Sequence, residues 1–406
     1  MSTTDHSRLV GFRSWIFIWI LAGGHSLFHW VVQGFVVVLP EVQNHFMLTG
    51  VGVGLVLTVR EISTGLVAFP GGFIADALRR HWAIFLATCI GGFGIGSILM
   101  GISPGFPLML AGIAIIAALH SLWHLSASSS LSRSFPKDRG TALSLHGVGG
   151  SIGDSAGPFA TGLLLSLVGW QRILSFYGLI GVLFALGFLL VVRRVWEIRD
   201  SDNEKINLSA QFRTGIKLLH NPLIWGISIV KGLRGMSLVA LLAIFPLYFH
   251  NELLMTPELR GLYIGILILI GVVSKPVSGY LSDRYGRKNV LVPGLAWTSL
   301  ISLLIIFFPE GLLLAILMVL LGMFLYPDQP IVTATILDLV DQKIASTALG
   351  VTSTIALVMS TASPVIAGGI YQNQGFSSVM VYVASLFATA SITFAVLPLG
   401  NRNGEN

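Results

Sequence analysis

Long apolar runs separated by short polar loops account for most of the chain. The hydrocarbon core of a bilayer, ~30 Å thick, takes about 20 apolar residues of helix to cross. Runs of that length lie at 14–40, 49–76, 82–101, 106–132, 140–168, 171–192, 222–249, 259–282, 289–309, 311–337, 345–369 and 376–399. The pattern therefore predicts an all-α membrane protein with twelve transmembrane helices.

The two halves of the chain resemble each other. GGFIADALRR and SGYLSDRYGRK place Asp76 and Asp283 207 residues apart, each after the second span of its half. Thr-Ala-Leu at 141–143 recurs at 347–349, and Gly157-Pro158 aligns with Ser363-Pro364, both at an offset of 206. Parallel repeats are one plan used by transporters. We expect a six-helix bundle at 1–192, a central cytoplasmic linker at 193–221 and a second six-helix bundle at 222–406.

Composition narrows the class of protein. Of the 406 residues, 54% are hydrophobic and 10% charged, whereas soluble domains carry about 25% charged residues. The formal charge is +6, but Lys and Arg lie in short loops between apolar runs, so nucleic-acid binding is not expected. One cysteine, Cys89, leaves no disulfide framework or cysteine-rich metal site. The sequence has no glycine-rich phosphate-binding loop ending in Lys-Ser/Thr, so ATP is not expected to drive transport. We therefore expect a gradient-driven transporter without a cofactor, and not an enzyme.

The loops also predict orientation, because Lys and Arg concentrate on the cytoplasmic side of a membrane. With the N-terminus inside, 18 of the 24 Lys and Arg are cytoplasmic, and Arg172 and Arg260 lie outside. We therefore expect a multi-pass inner-membrane protein with both termini in the cytoplasm.

One loop carries a family signature. Gly279 to Lys288, GYLSDRYGRK, resembles the loop motif of the major facilitator superfamily. This resemblance implies two pseudo-symmetric six-helix bundles and transport by alternating access. We expect a monomer. It also implies a gating role for the loop after the second span of each half. The gating residues would be Asp76, Arg80, Asp283, Arg284 and Arg287.

Within the superfamily, the chain looks most like the fosmidomycin-resistance branch. The residues that carry this likeness are His25 with Pro40 in span 1, Trp123-His124 in span 4 and Lys231 in span 7. Gly153 and Gly157-Pro158 in span 5 are similar to part of the antiporter signature. The glycines there are also spaced to pack one helix against another.

Ionisable residues inside the membrane cost about 2.5–3.5 kcal/mol each on insertion scales, so each needs a partner or a wet cavity. Apart from Asp76, Arg172 and Arg260 at the ends of spans, they fall in spans 1, 2, 4, 5, 7, 8 and 10, and none of them falls in spans 3, 6, 9 or 12. In the fold that the chain resembles, the latter four are peripheral. The ionisable residues are His25, His29, Arg60, Glu61, His120, His124, His146, Asp154, Lys231, Arg234, Lys275 and Asp328.

Spacing groups some of these residues. Helical residues at i and i+4 share a face, so His25 with His29, and His120 with His124, should form two paired faces. The histidines could make interhelical hydrogen bonds or bind a metal ion. Arg60 and Glu61, about 100° apart around their helix, are expected to serve different neighbours.

Span 10 contains Tyr326-Pro327-Asp328-Gln329-Pro330. Two prolines around an acid interrupt the helical hydrogen bonds, and broken helices mark binding sites in transporters.

The leading functional hypothesis is a proton-coupled antiporter that exports a small organic anion or drug, with phosphonate-like molecules among the candidates. A substrate bound beside a buried acid would expel its proton, with Asp154, Glu61 and Asp328 as the candidate acids in that order. The cations could instead form structural ion pairs with these acids. The candidate substrate-binding residues are His25, His29, Gln33, Arg60, His120, His124, Lys231, Arg234 and Gln329.

Two other transport hypotheses remain open. One is a proton-coupled importer of a metabolic anion, and the other is a divalent-metal transporter using the intramembrane histidines. A membrane sensor that binds ligand without moving it is a further alternative, though the chain contains no soluble signalling domain.

Overall fold

The protein is described by a computed structural model. The structure describes the backbone of residues 3–78, 81–135, 138–195, 215–341 and 344–399. Within these ranges the side chains at 3–14, 68–70, 72, 73, 75–77, 193–195 and 346 are not described.

The described chain is a succession of helices, which confirms the expected all-α fold. The first half contains α1 (Thr3–His45), α2 (Gly50–Ala77), α3 (Trp82–Gly101), α4 (Phe106–Ser134), α5 (Arg139–Leu165) and α6 (Trp170–Val195). The second half contains α7 (Pro222–Asn251), α8 (Pro257–Tyr285), α9 (Arg287–Phe307), α10 (Gly311–Leu325), α11 (Asp328–Asp338), α12 (Ala345–Thr361), α13 (Ser363–Gln374) and α14 (Phe376–Val396).

Several helices begin with proline in the first turn, and α7 is also capped by a side chain. At α7 the Asn221 side chain accepts a hydrogen bond from the backbone N–H of Leu223 at 2.9 Å, and Pro222 occupies the first turn. Pro107 and Pro257 occupy the same position in α4 and α8. Proline fits there because the first-turn N–H groups have no partner within the helix.

Eleven helical segments in the described chain are long and apolar enough to cross a membrane. The fifth predicted span is absent from that set, although α5 (Arg139–Leu165) is a continuous helix. Glycine, serine, histidine and aspartate lower its hydropathy, so it is less lipid-like than its neighbours.

Two of the predicted spans in the second half are broken at proline. Span 10 divides into α10 and α11 at Tyr326-Pro327, which confirms the interruption expected from the proline-rich segment. Span 11 divides into α12 and α13 at Ala362, just before Ser363-Pro364. The equivalent Pro158 in the first half lies inside an unbroken α5.

Contacts divide the chain into two compact units. One comprises Met1–Val38 and Ser63–Glu204, and the other comprises Leu39–Ile62 and Lys205–Asn406. Most of the predicted linker at 193–221 lies outside the described residues. The division into bundles at 1–192 and 222–406 stays a prediction.

The segment Leu39–Ile62, from the end of α1 and the start of α2, packs within the second unit. Glu41 forms an ion pair with Arg260, whose side chain is fully buried. A Cβ added at Gly54 would lie 2.3 Å from the carbonyl oxygen of Pro364, so α2 and α13 are in backbone contact there. Arg260 is thus a packed residue near the start of α8, and its position on the outer side of the membrane stays a prediction.

Candidate functional site

A cluster of histidines lies within the first unit. The Nε2 atom of His124 lies 3.2 Å from Nε2 of His29 and 2.9 Å from Nε2 of His120. The ring of His25 stands almost perpendicular to that of His124, with centroids 4.5 Å apart. The pairs expected from the i and i+4 spacing therefore meet each other, α1 contributing two rings and α4 the other two.

Two of these rings, those of His25 and His29, form hydrogen bonds through Nδ1. Nδ1 of His29 lies 2.7 Å from a carboxylate oxygen of Asp154 on α5. Nδ1 of His25 lies 2.7 Å from the carbonyl oxygen of His146, also on α5. A carbonyl oxygen only accepts, so His25 carries its proton on Nδ1. The same holds for His29 beside a carboxylate.

The cluster is largely enclosed. His25 is 7% exposed, and the ring of His146 stacks on it with centroids 4.1 Å apart and planes 10° from parallel. Nε2 of His25 is buried and has no hydrogen-bond partner among the described residues. In the neutral rings, the Nε2 atoms of His25 and His29 therefore carry lone pairs.

A buried ion pair lies in the second unit. Nε of Arg234 on α7 donates to Oδ1 of Asp328 at 2.5 Å, and Arg234 Nη2 donates to the carbonyl oxygen of Leu325 at 3.3 Å. Arg234 is 7% and Asp328 0% exposed. The helix break at Pro327 supplies both the freed carbonyl and the acid at the start of α11. Oδ2 of Asp328 is buried, with no hydrogen-bond partner in the described chain.

Lys231 lies three residues before Arg234 on α7 and is held differently. Its Nζ donates to the Ser353 hydroxyl on α12 at 2.7 Å. No described carboxylate pairs with it. Lys275 on α8 lies over the ring of Tyr326, with Nζ 5.8 Å from the centroid, close enough for a cation–π contact.

Arg60 and Glu61 differ from the expectation. We expected them to serve different neighbours, but Arg60 donates to Oε1 of Glu61 from Nε at 3.1 Å and from Nη2 at 2.9 Å. The long arginine side chain bends around the helix, so ~100° between adjacent positions does not prevent the contact.

The remaining predicted residues are placed as follows. Asp283 and Asp338 both pair with Arg287, while Arg284 donates to the Tyr280 hydroxyl at 3.2 Å. Arg80 and the side chain of Asp76 lie outside the described residues. Their gating role, like that of the other loop residues, stays a prediction.

Two glutamines lie at the margins of these groups. Gln33 follows His29 by one turn of α1, and its Oε1 is buried with no hydrogen-bond partner among the described residues. Gln329 is exposed at the start of α11, beside Asp328. Sequence reasoning missed Ser353, because serine is common in apolar helices and nothing in the pattern ties it to Lys231.

The fold and these intramembrane polar groups define a multi-pass helical membrane protein. The family model described as Major Facilitator Superfamily matches residues 21–278 and 227–405. The chain therefore belongs to this superfamily.

Named relatives and solved structures agree with that assignment. "Probable nitrate transporter NarT" of Staphylococcus haemolyticus is 22% identical over 257 residues, 63% of this chain and 63% of that protein. The chain thus spans somewhat less than two thirds of that relative. A bacterial homologue of the human lysosomal transporter Spinster has a TM-score of 0.74 at 16% identity, over 95% of both chains. A D-xylose-proton symporter gives 0.72 at 14% identity, over 94% and 97% of the two chains.

Proposed function

We propose that the protein is a proton-coupled secondary transporter of a small anion, in which the proton and the anion move in the same direction. The observation that carries this is Lys231. Its ammonium group is held by a serine hydroxyl and by no described carboxylate, so its charge is available to a substrate. An ammonium is a point charge that suits carboxylate, phosphonate or nitrate oxygens.

Coupling follows from the neighbouring pair. Arg234 already binds Asp328, so an anion that approaches Lys231 competes with the carboxylate for the guanidinium. Protonation of Asp328 removes its charge and frees Arg234 for the anion. A bound anion in turn repels the carboxylate charge and favours the protonated acid. Proton and anion thus assist each other.

This sign of coupling differs from the antiport hypothesis. Expulsion of a proton from the acid suits a cationic substrate, because a cation stabilises the carboxylate. An anion beside the acid destabilises the carboxylate and so favours binding of the proton, which opposes the exchange of a proton for an anion. We therefore assign the coupling proton to Asp328. Asp154 and Glu61, paired with His29 and Arg60, stay predictions from the sequence.

The relatives support an anion, since the NarT proteins are named as nitrate transporters. Under an inward proton gradient, such cotransport moves the anion into the cell. Inner-membrane location, cytoplasmic termini and a monomeric state belong to this proposal.

The second candidate is export by antiport. It rests on the likeness of His25, Pro40, Trp123-His124 and Lys231 to the fosmidomycin-resistance branch. The Gly153-Gly157-Pro158 signature adds little, because a Cβ at Gly153 or Gly157 would meet backbone of α1 within 2.5 Å. These glycines are explained by helix packing.

Flux in proteoliposomes tests the direction of coupling. The purified protein is reconstituted with a pH indicator inside, and nitrate and methylphosphonate are offered outside. We expect anion uptake to be driven by an acidic exterior and to acidify the lumen. Uptake driven by an alkaline exterior would establish antiport instead, and the absence of flux with either anion would reject an anion of this class.

Lys231→Gln is expected to raise KM for the anion about 10–100-fold, because a hydrogen bond to a charged group contributes about 1.5–3 kcal/mol. Lys217→Gln is the matched control, since Lys217 is an exposed lysine of the same unit. Equal KM values for the two variants would remove Lys231 from the substrate site.

A further inference from the structure

The histidine cluster has the features of a metal site rather than of a hydrogen-bonded core. The ligand nitrogens of His25, His29 and His124 all lie within 4.8 Å of one another. His120 approaches from the next turn of α4, with its Nε2 at 2.9 Å from that of His124. Helix α1 therefore contributes two imidazoles and α4 one to this group, with a second imidazole of α4 beside it.

Hydrogen bonding alone leaves this arrangement unsatisfied. His25 and His29 use the Nδ1 proton on the His146 carbonyl and on Asp154, so in the neutral rings both Nε2 atoms carry a lone pair. If Nε2 of His124 donates its proton to His29, it has no lone pair for His120, and if it accepts a proton from His120, it faces a second lone pair on His29. His25 is 7% exposed, and its Nε2 has no hydrogen-bond partner among the described residues.

A cation would satisfy all of these lone pairs. Two imidazole nitrogens bound to one tetrahedral zinc ion at about 2.0–2.1 Å lie roughly 3.3 Å apart. The His29–His124 separation is 3.2 Å and the His120–His124 separation 2.9 Å. The nitrogens of His25, His29 and His124 are thus close enough to share one ion, and His120 lies beside them as a fourth candidate ligand.

The outer contacts match those of metal-binding histidines. Such histidines usually donate the second N–H to a carboxylate or a backbone carbonyl, which fixes the tautomer and the ring orientation. Asp154 does this for His29 and the His146 carbonyl does it for His25. Both contacts come from α5, so they depend on how α5 packs against α1.

We propose that His25, His29, His124 and His120 form a binding site for a divalent transition-metal ion of the Zn²⁺ type, with Asp154 and the His146 carbonyl as positioning groups. Imidazole ligands suit Zn²⁺, Co²⁺, Ni²⁺ and Cu²⁺, whereas Ca²⁺ and Mg²⁺ require oxygen ligands. The site is independent of the anion groups Lys231, Arg234 and Asp328, which belong to the other unit.

Metal titration of the purified, tag-free, full-length protein tests the site. We expect one Zn²⁺ per chain, displaced by neither Mg²⁺ nor Ca²⁺, and visible d–d absorption of tetrahedral type when Co²⁺ is bound. The double variant His29→Gln with His124→Gln should lose both. His220→Gln is the control for adventitious histidine binding, because His220 is exposed and bonds only to its own helical turn at Ile216.

Asp154→Ala tests whether Asp154 orients His29 without binding the metal ion itself. Removal of such an outer partner typically weakens metal binding about 10–100-fold, while the Co²⁺ spectrum per bound ion should persist because the imidazoles remain. Thermal unfolding of each apo variant checks that it is folded. The proposal is overturned if the wild type binds no metal ion, or if the folded double variant binds Zn²⁺ as the wild type does. Neither result depends on anion flux.

Discussion

Asp328→Ala is expected to destabilise the protein by about 3–5 kcal/mol, because it leaves the guanidinium of Arg234 buried without its counter-charge. Both partners are buried, and Nε of Arg234 lies 2.5 Å from the carboxylate. The loss should be visible as a lower unfolding temperature in detergent and as a lower free energy of unfolding.

The double variant Arg234→Met with Asp328→Leu separates stability from function. Replacing a whole buried ion pair by apolar side chains is often neutral or stabilising, so the double variant should recover most of the stability while anion flux stays absent. Asp338→Ala supplies the matched control. Its pair with Arg287 is partly exposed, at 30% and 23%, and such pairs contribute about 0–1 kcal/mol. Equal losses for Asp328→Ala and Asp338→Ala would contradict the buried-pair interpretation.

Local patterns predicted much of what the structure contains. The apolar runs predicted the helices, and the prolines around Asp328 predicted the break between α10 and α11. Both features depend on residues that are close together in the sequence. The i and i+4 spacing of His25 with His29 and of His120 with His124 likewise predicted which rings share a face. Such features depend on helical geometry, which the sequence carries directly.

Pairings between helices could not be predicted in the same way. Arg234 and Lys231 were equal candidates for an acid, yet Arg234 takes Asp328 and Lys231 takes Ser353. The choice depends on where the α10–α11 break presents the acid, which is a tertiary property. The meeting of α1 with α4 likewise brings His29 to His124 across 95 residues of chain.

Gly153→Leu is expected to prevent accumulation of folded protein, and Gly153→Ala to destabilise it by about 1–3 kcal/mol, the usual cost of overpacking. A Cβ at position 153 would lie 2.1 Å from the carbonyl oxygen of Ser26 on α1, and backbone cannot move aside as a flexible side chain does. Helix α5 would have to separate from α1, which would also pull Asp154 away from His29. Folded yield and thermal unfolding measure both effects.

Gly147 provides the matched control on the same helix, because a Cβ there meets nothing within 4 Å. Gly147→Ala should be neutral or stabilise the protein by up to about 1 kcal/mol, since alanine has the higher helix propensity. Opposite signs for alanine at 147 and 153 would mean that close helix contact, and not helix propensity, requires glycine at 153. If both variants shift the unfolding temperature alike, the α1–α5 contact does not control stability, and the placement of Asp154 beside His29 needs another cause.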